Sequence, residues 1–235
     1  MRQGKNKKFW NKEYKKTPRQ EGHLALSDNP SEDLIKFTRW LERQYDGVYL
    51  APKDSVLDIG CGNGRNLIYL AKEFGIEGMG IDISKEAIAY AKKNSAGLPL
   101  AFETHSIAEA VPLPDGSQTL VLDMMTSHFL NAEEREHLRD EIARVLKPGG
   151  WLFFKTFLLE GDEHARRLLR EHPAQERGSY IHPTFGGTEH VFTEEEIQKL
   201  LVPHFTIERT IKSHAHLRDG RAYKRRSISV YARKK

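Results

Sequence analysis

A chain of 235 residues, 38% hydrophobic and 30% charged, has room for one domain with a sizeable core and contains no apolar run near the roughly 20 residues that a membrane-spanning helix needs. The basic start MRQGKNKKFWNKEYKK lacks the apolar stretch of a secretory signal, and Cys61 is the only cysteine, which excludes an internal disulfide and predicts a cytoplasmic protein. The net charge of +4 is uneven: residues 1–20 carry +7 and residues 209–235 carry +9, leaving −12 between them, so the basic ends either solvate the chain or meet nucleic acid or an anionic substrate.

After the basic arm, Asn29-Pro30-Ser31-Glu32-Asp33 predicts a capped helix start. Leu34, Phe37, Leu41 and Tyr45 then recur at helical spacing up to Gly47. Ser55–Ile59 is a short β-rich run that ends in Gly60-Cys61-Gly62-Asn63-Gly64, and a helix follows with Leu67, Ile68, Leu70 and Ala71 inward. Gly78–Ile83 is a second strand, and Ser84 caps the helix of Ala87, Ile88 and Ala91. Leu100–Thr104 and Thr119–Asp123 are the third and fourth strands, the latter introduced by the turn Pro114-Asp115-Gly116. Asn131 and Glu134 form a capping box for a helix that Lys147-Pro148-Gly149-Gly150 ends, and Trp151–Phe157 is the fifth strand. Residues 158–192 break the rhythm; they are polar, contain His164, His172, His182 and His190, and read as an insertion over the sheet edge. Thr193 and Glu196 cap one more helix, and His204–Ile211 and Ser227–Ala232 close the chain as strands around a basic loop. Alternating strands and helices imply βαβ units: an α/β, doubly wound, Rossmann-like parallel sheet with helices on both faces.

The motif richest in chemistry is Val56-Leu57-Asp58-Ile59-Gly60-Cys61-Gly62-Asn63-Gly64-Arg65. Glycines at a strand-to-helix turn let the backbone bend sharply and approach a ligand, at the carboxyl end of the sheet and its topological switch point. Asp82 ends the second strand about twenty residues on, where an acid accepts the two ribose hydroxyls. A dinucleotide loop needs G-x-G-x-x-G, and the third glycine would fall at Arg65 or Leu67. A G-x-G-x-G turn preceded by Asp58 suits instead a ligand with an amino-acid ammonium group and no pyrophosphate.

The stretch 55–157 resembles the cofactor-binding region of class I S-adenosylmethionine-dependent methyltransferases. The loop DIGCGNGRN is similar to that of the tellurite-resistance type, as is the ending His216-Leu217-Arg218-Asp219-Gly220 before a final strand. The resemblance implies a seven-stranded sheet, mostly parallel, with an antiparallel last strand. It implies S-adenosylmethionine as cofactor, with Asp58, Gly60, Cys61, Gly62 and Gly64 around the methionine part, Asp82 on the ribose and Ile83 against the adenine. Relatives of this type often carry an acid after the third strand for the adenine amino group. The aligned stretch here is Glu103-Thr104-His105-Ser106-Ile107, so Ser106 replaces that acid or Glu103 does its work. By analogy Asp123, Met124 and Met125 lie beside the sulfonium, the methionines serving either there or as core. In methyltransferases with a similar Phe-Trp…Tyr opening the segment folds over the cofactor. Phe9, Trp10 and Tyr14 therefore predict a lid within an arm and helix spanning 1–50, ahead of a methyltransferase domain over 51–235.

The acceptor is less legible, because methyl transfer asks chiefly for alignment and water exclusion, and for a base only when the acceptor is protonated. His128 follows the fourth strand and either orients the acceptor, takes its proton or packs. Tyr180, His182 and His190 of the insertion are candidate pocket residues. Arg218 and Arg221 are candidates because the matching end of the tellurite-resistance type pairs a histidine with arginines. The histidine spacings lack a Cys partner or an H-x-x-x-H helix, so no metal is expected. The reading is a methyltransferase for a small soluble acceptor, against two rivals: an RNA methyltransferase using the basic ends, and a silent cofactor-binding module.

Overall fold

Strands that hand over to helices pair in parallel through right-handed crossovers, and the element order follows that rule. The structure, a computed structural model, describes residues 2–15, 27–45, 49–184, 186–213, 217–218, 221–222 and 225–235. Helices α1 (Arg2–Lys15) and α2 (Glu32–Gln44) come first. The chain then alternates through β1 (Ser55–Ile59), α3 (Arg65–Phe74), β2 (Glu77–Asp82), α4 (Lys85–Asn94), β3 (Leu100–Thr104), β4 (Gln118–Met124), α5 (Ala132–Val145) and β5 (Leu146–Phe157). The remainder holds α6 (Glu163–Glu171), the hairpin of β6 (Ser179–Ile181) and β7 (Thr188–His190), α7 (Glu194–Leu201) and β8 (Phe205–Lys212). A second hairpin, β9 (Leu217–Arg218) and β10 (Arg221–Ala222), precedes β11 (Ser227–Lys234).

Seven strands make one sheet in the order β3-β2-β1-β4-β5-β11-β8. The first five pair in parallel, and β11 lies antiparallel between β5 and β8. This is the doubly wound, Rossmann-like architecture that the sequence predicts, with β1 and β4 flanking the point where the order reverses. Each face has its own core: α5 and α7 bury Leu138, Ile142, Ile197 and Leu201 on one side. On the other, α2, α3 and α4 bury Leu34, Phe37, Leu67, Leu70, Ile88 and Ala91. Phe37 stacks on Phe153 at 4.9 Å, tying α2 to the middle of the sheet. No helix among the described residues is long and apolar enough to cross a membrane.

Three expectations change. Helix α2 stops at Gln44, capped by the Tyr45 amide on the Leu41 carbonyl, ahead of Gly47, which lies outside the described residues. Lys147-Pro148-Gly149-Gly150 does not only end the helix but belongs to β5, which starts at Leu146 and not at Trp151, because a register shift against β4 between Gln118 and Leu120 absorbs it as a bulge. The insertion 158–192 does not hang over the sheet edge. Its β7 packs on the 3-10 turn Ser127–Phe129 that follows the central strand β4, and it buries a small core of its own (Ala165, Leu168, Tyr180, Val191).

Candidate functional site

β1 and β2 end side by side, Ile59 opposite Ile81, and the loop of residues 60–64 leaves from that edge. The Gly60 and Cys61 amides both donate to the Ile81 carbonyl, at 2.8 and 3.0 Å. Asp82 Oδ2 accepts from the Gly62 amide at 3.0 Å and Oδ1 from the Ser84 amide at 2.8 Å, so two backbone donors orient its carboxylate. Burial nevertheless pushes the Asp82 carboxyl above its usual range. Gly62 has φ +56, and a Cβ there would strike the Tyr14 hydroxyl. Gly64, at φ +77, serves packing instead of the ligand: its Cβ would come within 2.9 Å of the Phe102 ring.

A cavity of about 230 Å³ opens at these strand ends. The loop supplies Gly60, Cys61 and Gly62, β2 supplies Asp82 with Ile83 next to it, and Ser106 and Ile107 form the wall beyond β3. Met124 ends β4 on the opposite side, and Trp10 and Tyr14 close the top. The structure thus brings these expected cofactor residues to one space. Asp58, Gly64 and Asp123 stand behind the wall. Asp58 is 1% exposed, and its Oδ2 has no hydrogen-bond partner among the described residues. Burial first, then the neighbouring Asp82 and Asp123 charges, push its carboxyl up to about 8, against the opposing pull of Arg65. Asp123 is pushed up to about 6 by burial, although the Ser127 amide and hydroxyl both donate to it.

Helix α1 is docked, not loose. Trp10 meets Phe129 edge-to-face at 5.7 Å. Asn11 Oδ1 accepts from the Ser84 hydroxyl at 2.9 Å at the N-terminus of α4, and Lys15 pairs with Glu86 at 3.4 Å. Tyr14 lies in the field of Asp82, Cys61 and Asp58, and its phenol is pushed well above the usual range, mainly by burial.

The candidate acceptor residues part company with this cavity. Of the three roles open to His128, packing is the one its surroundings give: it is 2% exposed, packed at 4.1 Å on Phe129 and 5.1 Å from Phe157. Burial, with help from Arg225 and His190, pushes its imidazole down to about 3, which makes it a neutral ring and a poor base. His190 sits inside the insertion, its Nδ1 3.0 Å from the Ser179 hydroxyl and its ring edge-on to Phe192. His182 accepts the Thr184 amide at its Nδ1, beside the Tyr180 ring. None of the three lines the cavity, because the β6–β7 pairing directs His190 into the insertion's core and leaves His182 at the hairpin end. The side chains of Arg218 and Arg221, and all of Lys224, lie outside the described residues.

Arg225 and Arg226 correct the picture of a freely solvated basic loop before the last strand. Arg225 Nε donates to Asp162 at 3.0 Å and Nη1 to the Tyr180 hydroxyl at 2.6 Å, with the guanidinium 4.2 Å over Phe157. Arg226 donates to the carbonyls of Glu160 and Ser213 at 2.8 and 3.0 Å. Both fasten the insertion to the start of β11.

Sequence reasoning missed part of the wall: Asn6 on α1, Asn66 on α3, and Thr126, Phe129, Leu130 and Glu134 after β4. For Asn6 a signal existed, since residues 6, 10 and 14 share one helical face. Met125, at φ +62, is a non-glycine residue in the left-handed region, a strained conformation held at the cavity wall.

A family model described as a methyltransferase domain matches residues 56–150. The 27-O-demethylrifamycin SV methyltransferase of Amycolatopsis mediterranei is 34% identical over 58% of this chain and 51% of its own length. The 2-methyl-6-phytyl-1,4-hydroquinone methyltransferase of a Synechocystis species is 29% identical over 60% of this chain and 44% of its own length. The chain thus spans about half the length of the curated relatives it matches. Among solved structures, a SAM-dependent methyltransferase of Methanosarcina mazei superposes with a TM-score of 0.66 at 28% identity, over 79% of this chain and 94% of the other. The geranyl diphosphate C-methyltransferase of Streptomyces coelicolor, solved with S-adenosyl-L-homocysteine, shares the fold with a TM-score of 0.65 at 14% identity, over 99% and 98% of the two chains. Residues 56–150 thus match a methyltransferase domain, and the fold around them is that of S-adenosylmethionine-dependent methyltransferases, which supports S-adenosylmethionine as the cofactor.

Proposed function

We propose that the protein transfers a methyl group from S-adenosylmethionine to a small soluble acceptor in the cytoplasm. The observation that carries this reading is the single cavity joining the glycine loop and Asp82 to the Met124–Thr126 edge of β4. Its residues fit the cofactor chemically. Asp82 retains lone pairs for the ribose hydroxyls, Ile83 and Ile107 offer apolar faces to the adenine, and behind the wall Asp58 Oδ2, without a hydrogen-bond partner among the described residues, is an acceptor for the methionine ammonium. The sulfonium supplies a methyl carbon already activated for in-line displacement. The chain's own tasks are then alignment and exclusion of water, for which α1 forms a lid through Trp10 and Tyr14. His128, neutral and buried, acts by packing under Phe129 and not as a base.

The rifamycin and hydroquinone methyltransferases among the relatives favour a small organic acceptor. The RNA alternative loses two of its cations, since Arg225 and Arg226 are engaged internally. Arg218 and Arg221, on the β9–β10 hairpin that follows β8 in the chain, remain our proposal for the acceptor. Formation of S-adenosylhomocysteine from S-adenosylmethionine with a mixed library of small acceptors tests this reading. Turnover with at least one member supports it. Turnover only with RNA, or cofactor binding without turnover on any acceptor, sinks it in favour of a nucleic-acid enzyme or a silent module respectively.

A further inference from the structure

An adenine ring inside a protein needs an acceptor for its amino hydrogens, and burying them unmet is costly. The loop after β3 does not provide one of the expected kind. Glu103 is exposed and absent from the cavity wall, and the Ser106 hydroxyl already accepts from the Ala108 amide at 3.3 Å. Two other groups on the wall have the right chemistry. Asn6 is 8% exposed, lines the cavity, and its Oδ1 has no hydrogen-bond partner among the described residues. Glu134 is the only carboxylate besides Asp82 that lines the cavity among the described residues, and the capping box fixes its orientation, Oε2 accepting the Asn131 amide at 2.9 Å.

The position of Asn6 follows from the helix. Tyr14 stands over Gly62 at the methionine end, and Trp10 packs on Phe129 one turn earlier. Asn6 is a further turn back on the same face, about 12 Å along the axis from Tyr14, a span comparable with that from the amino-acid end to the adenine of an extended cofactor. A side-chain amide presents an acceptor and a donor side by side, matching the amino group and adjacent ring nitrogen of adenine. We propose that the adenine amino group is read from the lid, by Asn6 Oδ1 with Glu134 opposite, in place of an acid after β3. Lid closure and base recognition are then one event. This inference rests on the cofactor reading above.

The test is calorimetric titration with S-adenosylhomocysteine and with S-inosylhomocysteine, whose base carries oxygen in place of the amino group. The wild-type protein should prefer the adenosyl compound by about tenfold or more. Asn6→Ala, which favours the helix, should weaken the adenosyl compound about tenfold and leave the inosyl compound within about twofold, so that the preference collapses. Glu134→Gln keeps the capping box and should narrow the preference by about threefold. Glu103→Gln should leave it intact. Equal weakening of both compounds by Asn6→Ala would reduce Asn6 to a shape element of the lid, and an unchanged preference in the Asn6 and Glu134 variants would remove both residues from the base. A collapse in Glu103→Gln would return recognition to the loop after β3. Binding of neither compound by the wild type would remove the cofactor reading itself, and the inference with it.

Discussion

The cofactor cradle and the insertion are built from different materials. The cradle is backbone: strand ends, a glycine turn, amide donors on Asp82 and the N-terminus of α4, all set by residues within about thirty positions of one another. The insertion is held by side chains. Asp162, fully buried, accepts from the Ala165 amide at 2.9 Å and from Arg225 Nε and the Arg226 amide, both at 3.0 Å, across more than sixty residues of sequence. A backbone cradle tolerates varied sequence around it and holds the same ligand. A side-chain clamp is specific to its partners, so its sequence is tied to this chain's own packing.

The difference can be broken from either side. The largest effect belongs to the cradle: Gly62→Val combines a left-handed φ with a collision against Tyr14, and should lower S-adenosylmethionine affinity more than about a hundredfold, read by calorimetry. At the clamp, Arg225→Ala removes the ion-pair partner of the buried Asp162 and leaves it only the Ala165 and Arg226 amides, a loss of up to about 3–5 kcal/mol. Urea unfolding should report that loss, and turnover should fall with it, while cofactor affinity at low temperature stays near wild type. Equal loss of cofactor binding would mean that the cradle and the insertion are one cooperative unit.

A subtler test uses the Asp58 proton. In the ligand-free protein its carboxyl is pushed up to about 8, so below that pH it is largely neutral. An ammonium group beside it favours the ionised form, and binding then releases a proton. Affinity for S-adenosylmethionine should therefore rise with pH, by up to about tenfold per unit, and level off above about 8. The sign for stability is opposite. Between the unfolded carboxylate value and 8 the folded state holds a proton that the unfolded state does not, so Asp58 erodes stability as pH rises through that window. Asp58→Asn should remove that erosion, giving a higher melting temperature than wild type at pH 8, and should flatten the pH dependence of whatever binding remains. A pH-independent affinity in the wild-type protein would separate Asp58 from the ligand.

The cradle was legible in the sequence because its signals are local. The glycine turn, Asp82 and the capping boxes at Asn131/Glu134 and Thr193/Glu196 each declare themselves within a few residues, and the structure contains all of them. The clamp was not legible. Arg225 and Arg226 read as surface charge because their partners Asp162 and Glu160 are distant in sequence and appear only on folding. The insertion read as polar because Ala165, Leu168, Tyr180 and Val191 show no common period, yet they close on one another once β6 and β7 pair. His128 followed β4 at a position that suits a reactive group, but Phe129 and Phe157 enclose it. The spacing of Asn6 with Trp10 and Tyr14 was visible on one helical face, but its place on the cavity wall needed the docking angle of α1.

The central claim is that the cavity over the glycine loop holds S-adenosylmethionine with Asp82 on its ribose. Calorimetric titration of the cofactor into the wild-type protein and Asp82→Ala tests it most directly. Removing two charge-assisted acceptors at about 1.5–3 kcal/mol each should weaken binding by at least tenfold, with a folded, cooperatively melting variant as the control. Saturable one-to-one binding by the wild type and a tenfold or greater loss in the variant is the result predicted. Equal affinities in the two proteins would contradict the account.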